Sequence, residues 1–91
     1  MQVRQQKAKI NLKIAIGSVI KTFRLRSAKS ISQISAEVMM SKSVWRNIEN
    51  GKSDVRNSTL WLICEALETT PDVIYIEAKK LLGSEFSLSE I

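Results

Sequence analysis

The stretch Ser30 to Gly51, SISQISAEVMMSKSVWRNIENG, decides how the rest of the chain is read. Ile31, Ile34, Ser35 and Val38 recur at i, i+3, i+4 and i+7, the spacing that puts small or apolar side chains on one face of a helix. Ser30 with Gln33 three residues on is a capping box, so the spacing predicts a helix starting there. The pattern breaks at Met39-Met40. Ser41 then offers a second N-cap before Val44, Trp45 and Ile48, again at helical spacing, and Gly51 is the natural stop for that second helix. With Trp45 and Ile48 turned inward, the second helix presents Lys42, Ser43, Arg46 and Asn47 outward, and no acid interrupts that face before Glu49.

All four outward side chains can hydrogen-bond to base edges or phosphates. A helix whose N-terminal half carries short polar and basic groups can enter a DNA major groove about 12 Å wide. The stretch therefore reads as a DNA-reading helix-turn-helix. Paired amphipathic helices occur in any all-helical domain, however, and basic surfaces are often just solvated, so these residues alone leave both readings open.

Composition narrows the choice. Ninety-one residues make one domain with a single core, and 44% hydrophobic with 25% charged residues is ordinary globular composition. No apolar run exceeds five residues, so no membrane span is expected, and the N-terminus lacks the apolar core of a secretory signal. Histidine is absent and Cys64 is the one cysteine, which removes the commonest general base and any plausible zinc site. With no recognisable catalytic motif, neither an enzyme nor a cofactor is expected. Cys64, among Leu60, Ile63 and Leu67, reads as a small core hydrophobe in a reducing, cytoplasmic compartment.

The net charge of +5 is unevenly spread. Residues 1–56 carry twelve Lys and Arg against three acids, and residues 57–91 carry two against six. A positive half that holds the candidate reading helix, with a negative half away from it, suits a domain that binds a polyanion.

Along the chain, residues 1–11 read as a basic arm or a frayed helix start. The absence of acids before Glu37 also suits a mitochondrial transit peptide, a reading set aside because the segment runs without a break into a core helix. From Leu12 to about Ala28, Leu12, Ile16, Val19, Ile20 and Phe23 form one apolar stripe. Gly17 in that helix costs about 1 kcal/mol against alanine, which points to a close helix approach or to a tolerated surface glycine. Lys52 to Ser58 is a polar loop, with Asn57 or Ser58 as cap for a helix carrying Leu60, Ile63, Cys64 and Leu67, with Trp61 beside that stripe and Leu62 off it. Thr70-Pro71-Asp72 starts a last helix, about 71–82, with a hydroxyl cap, proline in the first turn and a carboxylate at the positive helix end. Its Val73, Ile74, Tyr75, Ile76, Ala78, Leu81 and Leu82 exceed what one core-facing stripe requires, and the surplus argues for a partner. Gly83 ends the helix. In the tail, residues 83–91, Phe86 and Leu88 suggest a short strand or a dimer contact.

Taken whole, the chain from Ile16 to Tyr75 resembles the lambda-repressor-like (Xre/Cro-type) helix-turn-helix family, without gaps. The family's opening Leu-Gly-x-x-Ile-x-x-Leu-Arg is similar to Ile16-Gly17-Ser18-Val19-Ile20-Lys21-Thr22-Phe23-Arg24. Its Val-Ser-x-Ser-x-Ile-x-x-Ile-Glu-x-Gly is similar to Met40-Ser41-Lys42-Ser43-Val44-Trp45-Arg46-Asn47-Ile48-Glu49-Asn50-Gly51. Its Leu-Leu-x-Ile-Ala-x-Ala-Leu is similar to Leu60-Trp61-Leu62-Ile63-Cys64-Glu65-Ala66-Leu67. The chain departs from the pattern in four places: Lys29 stands for a leucine, Ile31 for a phosphate-binding glutamine, Ser35 for the small alanine and Met39 for the turn glycine. Sliding Ile31-Ser32-Gln33 onto the family's Leu-Ser-Gln is rejected, because it would need a two-residue deletion and would place Glu37 in the core.

The resemblance implies an all-α, five-helix domain over residues 12–82 that binds double-stranded DNA as a homodimer, each reading helix in a major groove about 34 Å from its twin. It implies base contacts from Lys42, Ser43, Val44, Arg46 and Asn47, with Val44 able to touch a thymine methyl. DNA-backbone contacts are expected from Ser30, Gln33, Ser41, Asn50, Lys52 and Arg56, and a structural ion pair between Arg24 and Glu49. Dimer contacts are expected from Leu62, Tyr75, Ile76, Phe86 and Leu88. The function implied is a sequence-specific transcriptional repressor, bacterial or phage in type and nucleoid-associated. Two alternatives stay open: an antitoxin whose acidic second half or tail holds a toxin, and a protein-interaction adaptor that has lost DNA reading.

Overall fold

The structure, a computed structural model, describes residues 2–83 and 86–87, with side chains from residue 12 onward. Among the described residues the chain is all-α, with five helices and no strand: α1 (Gln2–Arg26), α2 (Ile31–Glu37), α3 (Lys42–Glu49), α4 (Asn57–Ala66) and α5 (Pro71–Leu82). The helix expected from Leu12 begins at Gln2, so its backbone runs through the residues read as an arm or a frayed start.

α1 is the spine. It packs most extensively against α5 and next against α3, while α2 packs on α3 and α4 on α5. Its expected stripe buries Val19 and Ile20 fully and Leu12, Ile16 and Phe23 in part, and Ala15 joins them. The core takes Ile34 and Val38 from α2, Trp45 and Ile48 from α3, Leu60, Ile63 and Cys64 from α4, and Ile74 and Ala78 from α5. Each large apolar side chain so buried contributes roughly 1.5–3 kcal/mol relative to exposure. Burial also pushes the Cys64 thiol up, with the charge of Asp72 adding to the effect. Trp61, expected beside the α4 stripe, is instead exposed, as are Leu62, Tyr75, Ile76 and Leu81. Phe86 is half-buried, and Leu88 lies outside the described residues.

The first four helices stop in one way. The residue two past each helix is left-handed, at φ 57° for Ala28, 57° for Met39, 71° for Gly51 and 56° for Glu68. Behind each stands the same pair of backbone bonds; after α2 they are Met39 N–H to Ala36 O at 3.2 Å and Met40 N–H to Ser35 O at 2.9 Å. This double bond satisfies carbonyls that the helix end would otherwise orphan. Only one of the four positions holds the glycine that suits it.

The helix starts are more varied. α2 begins with the expected capping box, Ser30 Oγ accepting from Gln33 N–H at 3.1 Å and Gln33 Oε1 accepting from Ser30 N–H at 2.8 Å. α4 begins one residue earlier than expected: Arg56 is its N-cap, with no side-chain cap bond, and Asn57 is already helical. Thr70 is the N-cap of α5, but its hydroxyl makes no cap bond, and Pro71 at the first helical position removes one of the N–H groups that the helix start would leave without a partner. The Thr70 hydroxyl instead holds the Asp72 carboxylate below its ordinary range.

Candidate nucleic-acid interface

α3 is eight residues long, about 12 Å of helix, and its two sides are built differently. Ser41 starts it, its Oγ accepting the Val44 N–H at 3.1 Å. At its other end Gly51 N–H bonds Ile48 O at 3.1 Å and Lys52 N–H bonds Asn47 O at 2.9 Å. The first turn holds no acid, so the positive helix end and Lys42 act in the same sense on any anion placed there.

The inward side is a closed set. Trp45 is fully buried, and Ile48 and Glu49 nearly so. Glu49 takes a two-pronged bond from Arg24 on α1, Nε to Oε2 at 2.5 Å and Nη2 to Oε1 at 3.0 Å, and Oε2 also accepts the Trp45 indole N–H at 2.7 Å. The remaining Arg24 Nη1 donates to Lys29 O at 3.0 Å. The bond to Glu49 raises the guanidinium pKa further, burial opposing it and the carboxylate charge adding to it. No buried side-chain donor or acceptor among the described residues is left without a partner. Planar pairing of this kind fixes rotation as well as distance.

Gly17 fixes the distance. A Cβ there would overlap the carbonyl oxygen of Ile48 and stand 2.8 Å from that of Glu49, so only glycine lets the α1 backbone come this close to the end of α3. Of the two readings of this residue, the close helix approach holds. Gly17 and Arg24 are seven residues apart, two turns along one face of α1, so one stripe of the scaffold sets both the spacing and the roll of α3.

On the outward side Lys42, Ser43, Val44, Arg46, Asn47 and Asn50 are all exposed. None of Lys42, Ser43, Arg46 and Asn47 makes a side-chain bond to another described residue. Ser30 and Gln33 stand at the start of α2 with their oxygens engaged in the capping box, which leaves the hydroxyl hydrogen and the amide NH2 to donate outward. Lys52 and Arg56 are exposed in the loop after α3, and Lys13 lies 3.9 Å from Asp54 in the same loop. The structure thus gathers the five candidate base contacts on one helix and spreads the candidate backbone contacts over three places: the α2 start, the α3 start and the loop before α4.

Two contributors were not visible in the sequence pattern. Trp45 is a third member of the Arg24–Glu49 pair, and its i, i+4 spacing to Glu49 was the available signal. Lys29, which stands where relatives have leucine, bridges two helices: its Nζ bonds Glu37 Oε1 at 2.9 Å and the last carbonyl of α4, Ala66 O, at 2.8 Å. Glu37 is accordingly on the surface, as the gapless alignment requires.

A helix-turn-helix domain family matches residues 15–74, which spans α2, the turn and α3 and takes in most of the scaffold. The chain belongs to the helix-turn-helix family. Helix-turn-helix domains bind DNA through the second helix of the pair, here α3. Among solved structures the chain is similar to the clp gene regulator ClgR from C. glutamicum, at 22% identity and a TM-score of 0.76 over 79% of this chain and 92% of that one. A second crystal structure of ClgR from Corynebacterium glutamicum matches at 22% identity and a TM-score of 0.76, covering 78% of this chain and 76% of that one. At this identity the likeness is one of fold. No curated protein sequence matches the chain.

Proposed function

We propose that the protein is a sequence-specific transcriptional regulator, a dimeric repressor, that lays α3 in the major groove. Arg46 and Asn47 read bases there, arginine pairing with guanine O6 and N7 and asparagine with adenine N6 and N7. Lys42 and Ser43 assist, Val44 meets a thymine methyl, and Ser30, Gln33, Ser41, Asn50, Lys52 and Arg56 hold phosphates. The observation that carries the reading is the two-sidedness of α3: fully bonded behind, uncommitted and cationic in front. Both similar structures are of a clp gene regulator, which supports the regulatory role. Occupying an operator blocks transcription without any further activity, which makes repression the simplest use of such a domain.

Selection of bound sequences from a random duplex pool is the test. A single enriched motif with two-fold symmetry is the expected result. On that motif Arg46→Ala should cost roughly 1–3 kcal/mol and relax one position. Enrichment of no motif, or an Arg46→Ala profile identical to wild type, overturns the proposal.

A further inference from the structure

α1 is longer than the domain it serves. It begins at Gln2, whereas the helix-turn-helix family match begins at residue 15 and, among the residues with described side chains, burial begins at Ala15. The boundary falls where α1 crosses the far end of α3: a Cβ on Gly51 would stand 2.7 Å from Ile14 Cα and 3.0 Å from Ile14 N. Lys13, the next residue outward, lies 3.9 Å from Asp54 in the loop that also carries the exposed Lys52 and Arg56. α1 therefore leaves the core beside the loop proposed to hold phosphates, and residues 2–12 run on past it for about 16 Å. The charges on this overhang are wrong for a helix standing alone. Arg4, Lys7, Lys9 and Lys13 have no acid near them in sequence, since residues 1–36 contain none. They gather toward the helix end that is already positive, and Lys9 and Lys13, at i and i+4, repel each other. At about 100° per residue, positions 2, 6, 9 and 13 lie within roughly 60° of arc, on the face of α1 that holds Gly17 and Arg24. Beyond the crossing, the face that seats α3 continues as glutamine and lysine positions.

We infer that the overhang of α1 is a second DNA contact, laid against the sugar–phosphate backbone that flanks the groove α3 enters, with Lys9 and Lys13 on phosphates. The inference rests on the DNA reading above and extends the site beyond the bases that α3 reaches. A row of phosphates supplies the anions that the positive helix end and the lysine pair lack, so a charge pattern that costs the free helix stabilises the bound one. Gln2 and Gln6 share the face and can donate to phosphate oxygens or the sugars between them. The overhang is as long as about five base pairs, at the 3.4 Å spacing of charges along one strand. Arg4 and Lys7 stand roughly 130° or more from the centre of this face, so they add to the field of the overhang without sharing its contact.

Two double variants of the full chain test this, because they remove equal charge from different faces: Lys9→Gln with Lys13→Gln, and Arg4→Gln with Lys7→Gln. Each is titrated with the selected duplex trimmed to its motif and with the same duplex carrying about six base pairs of mixed sequence at each end. Wild type should bind the longer duplex more tightly. The Lys9 and Lys13 variant should lose that gain, on the order of tenfold in affinity at about 100 mM salt, and its slope of log affinity against log salt should fall by about 2 per bound protomer. The Arg4 and Lys7 variant should keep most of the gain. Both should unfold at a urea midpoint no lower than wild type, so the loss cannot come from a misfolded chain. A wild type that gains nothing from the added ends, or two variants that lose the gain equally, overturns the inference. That result with the selected motif still bound would remove the overhang contact alone. With no motif selected, the same face-dependent loss on random duplex would remove the base reading alone.

Discussion

The two sides of α3 obey opposite rules. Behind it, every buried polar side-chain atom has a partner: Glu49 is held by Arg24 and by the Trp45 indole, and the third guanidinium nitrogen of Arg24 donates to Lys29 O. In front, Lys42, Ser43, Arg46 and Asn47 are exposed and have no side-chain partner among the described residues. The difference separates two tasks that a reading helix must perform. Placement has to be complete before the ligand arrives, since ordering it on binding would weaken affinity. Donors that will meet bases have to be left without internal partners, since an engaged donor would first have to be freed.

The sharpest way to break the comparison is to remove one member of the rear set. Arg24→Ala leaves the Glu49 carboxylate buried without its cation, and breaking such a pair costs about 3–5 kcal/mol. Urea unfolding should show a lower midpoint at an unchanged slope. A midpoint that hardly moves would mean that Trp45 and Ile48 hold the helix by packing alone. Gly17→Ala acts on the same contact through the backbone: an added methyl meets the carbonyls of Ile48 and Glu49, which cannot swing aside as a side chain can. Overpacking of this kind costs about 1–3 kcal/mol. The variant should also bind DNA more weakly while still folded, because α3 is pushed off its seat. Unchanged binding in a folded Gly17→Ala protein would show that the roll set by Arg24 matters and the spacing does not.

How far this was readable in the sequence depends on which signals are local. The starts of α2 and α3 were legible because Ser30, Gln33 and Ser41 act on N–H groups within three residues of themselves. The core was legible because helical periodicity survives in every element, from Val19 and Ile20 to Ile63 and Cys64. The turn before α3 was less so. Gly51 announces its left-handed backbone, but Ala28, Met39 and Glu68 take the same conformation with side chains that do not favour it. At those positions the fold imposes the turn, because each lies between two helices already seated in the core. Lys29 was illegible for a different reason: its partners Glu37 and Ala66 O come from two other helices, and no spacing rule links them. Among the candidate DNA contacts, exposure and freedom from partners were readable from the wheel of α3.

Met39 makes the turn comparison measurable. It is 92% exposed, so its side chain contributes no burial, and its left-handed backbone costs about 1–2 kcal/mol for a residue with a Cβ. Met39→Gly removes that cost but gives the unfolded chain more freedom to lose. A net stabilisation of about 0.5–1 kcal/mol is expected, read as a higher urea midpoint. A destabilised variant would mean that the exposed methionine contributes to the fold by a contact other than burial.

The smallest effect on stability belongs to the front, and there it is the informative result. Lys52→Ala removes an exposed loop cation that makes no ion pair with a described residue, so unfolding should shift by no more than about 0.5 kcal/mol. If Lys52 neutralises a phosphate, the same change should weaken specific and random DNA alike and reduce the slope of log affinity against log salt by about 1. Arg46→Ala, by contrast, should weaken the selected motif more than random DNA. A Lys52→Ala protein whose salt slope is unchanged would move the phosphate contacts back to Asn50 and the start of α2, where Ser30 and Gln33 already have their oxygens committed.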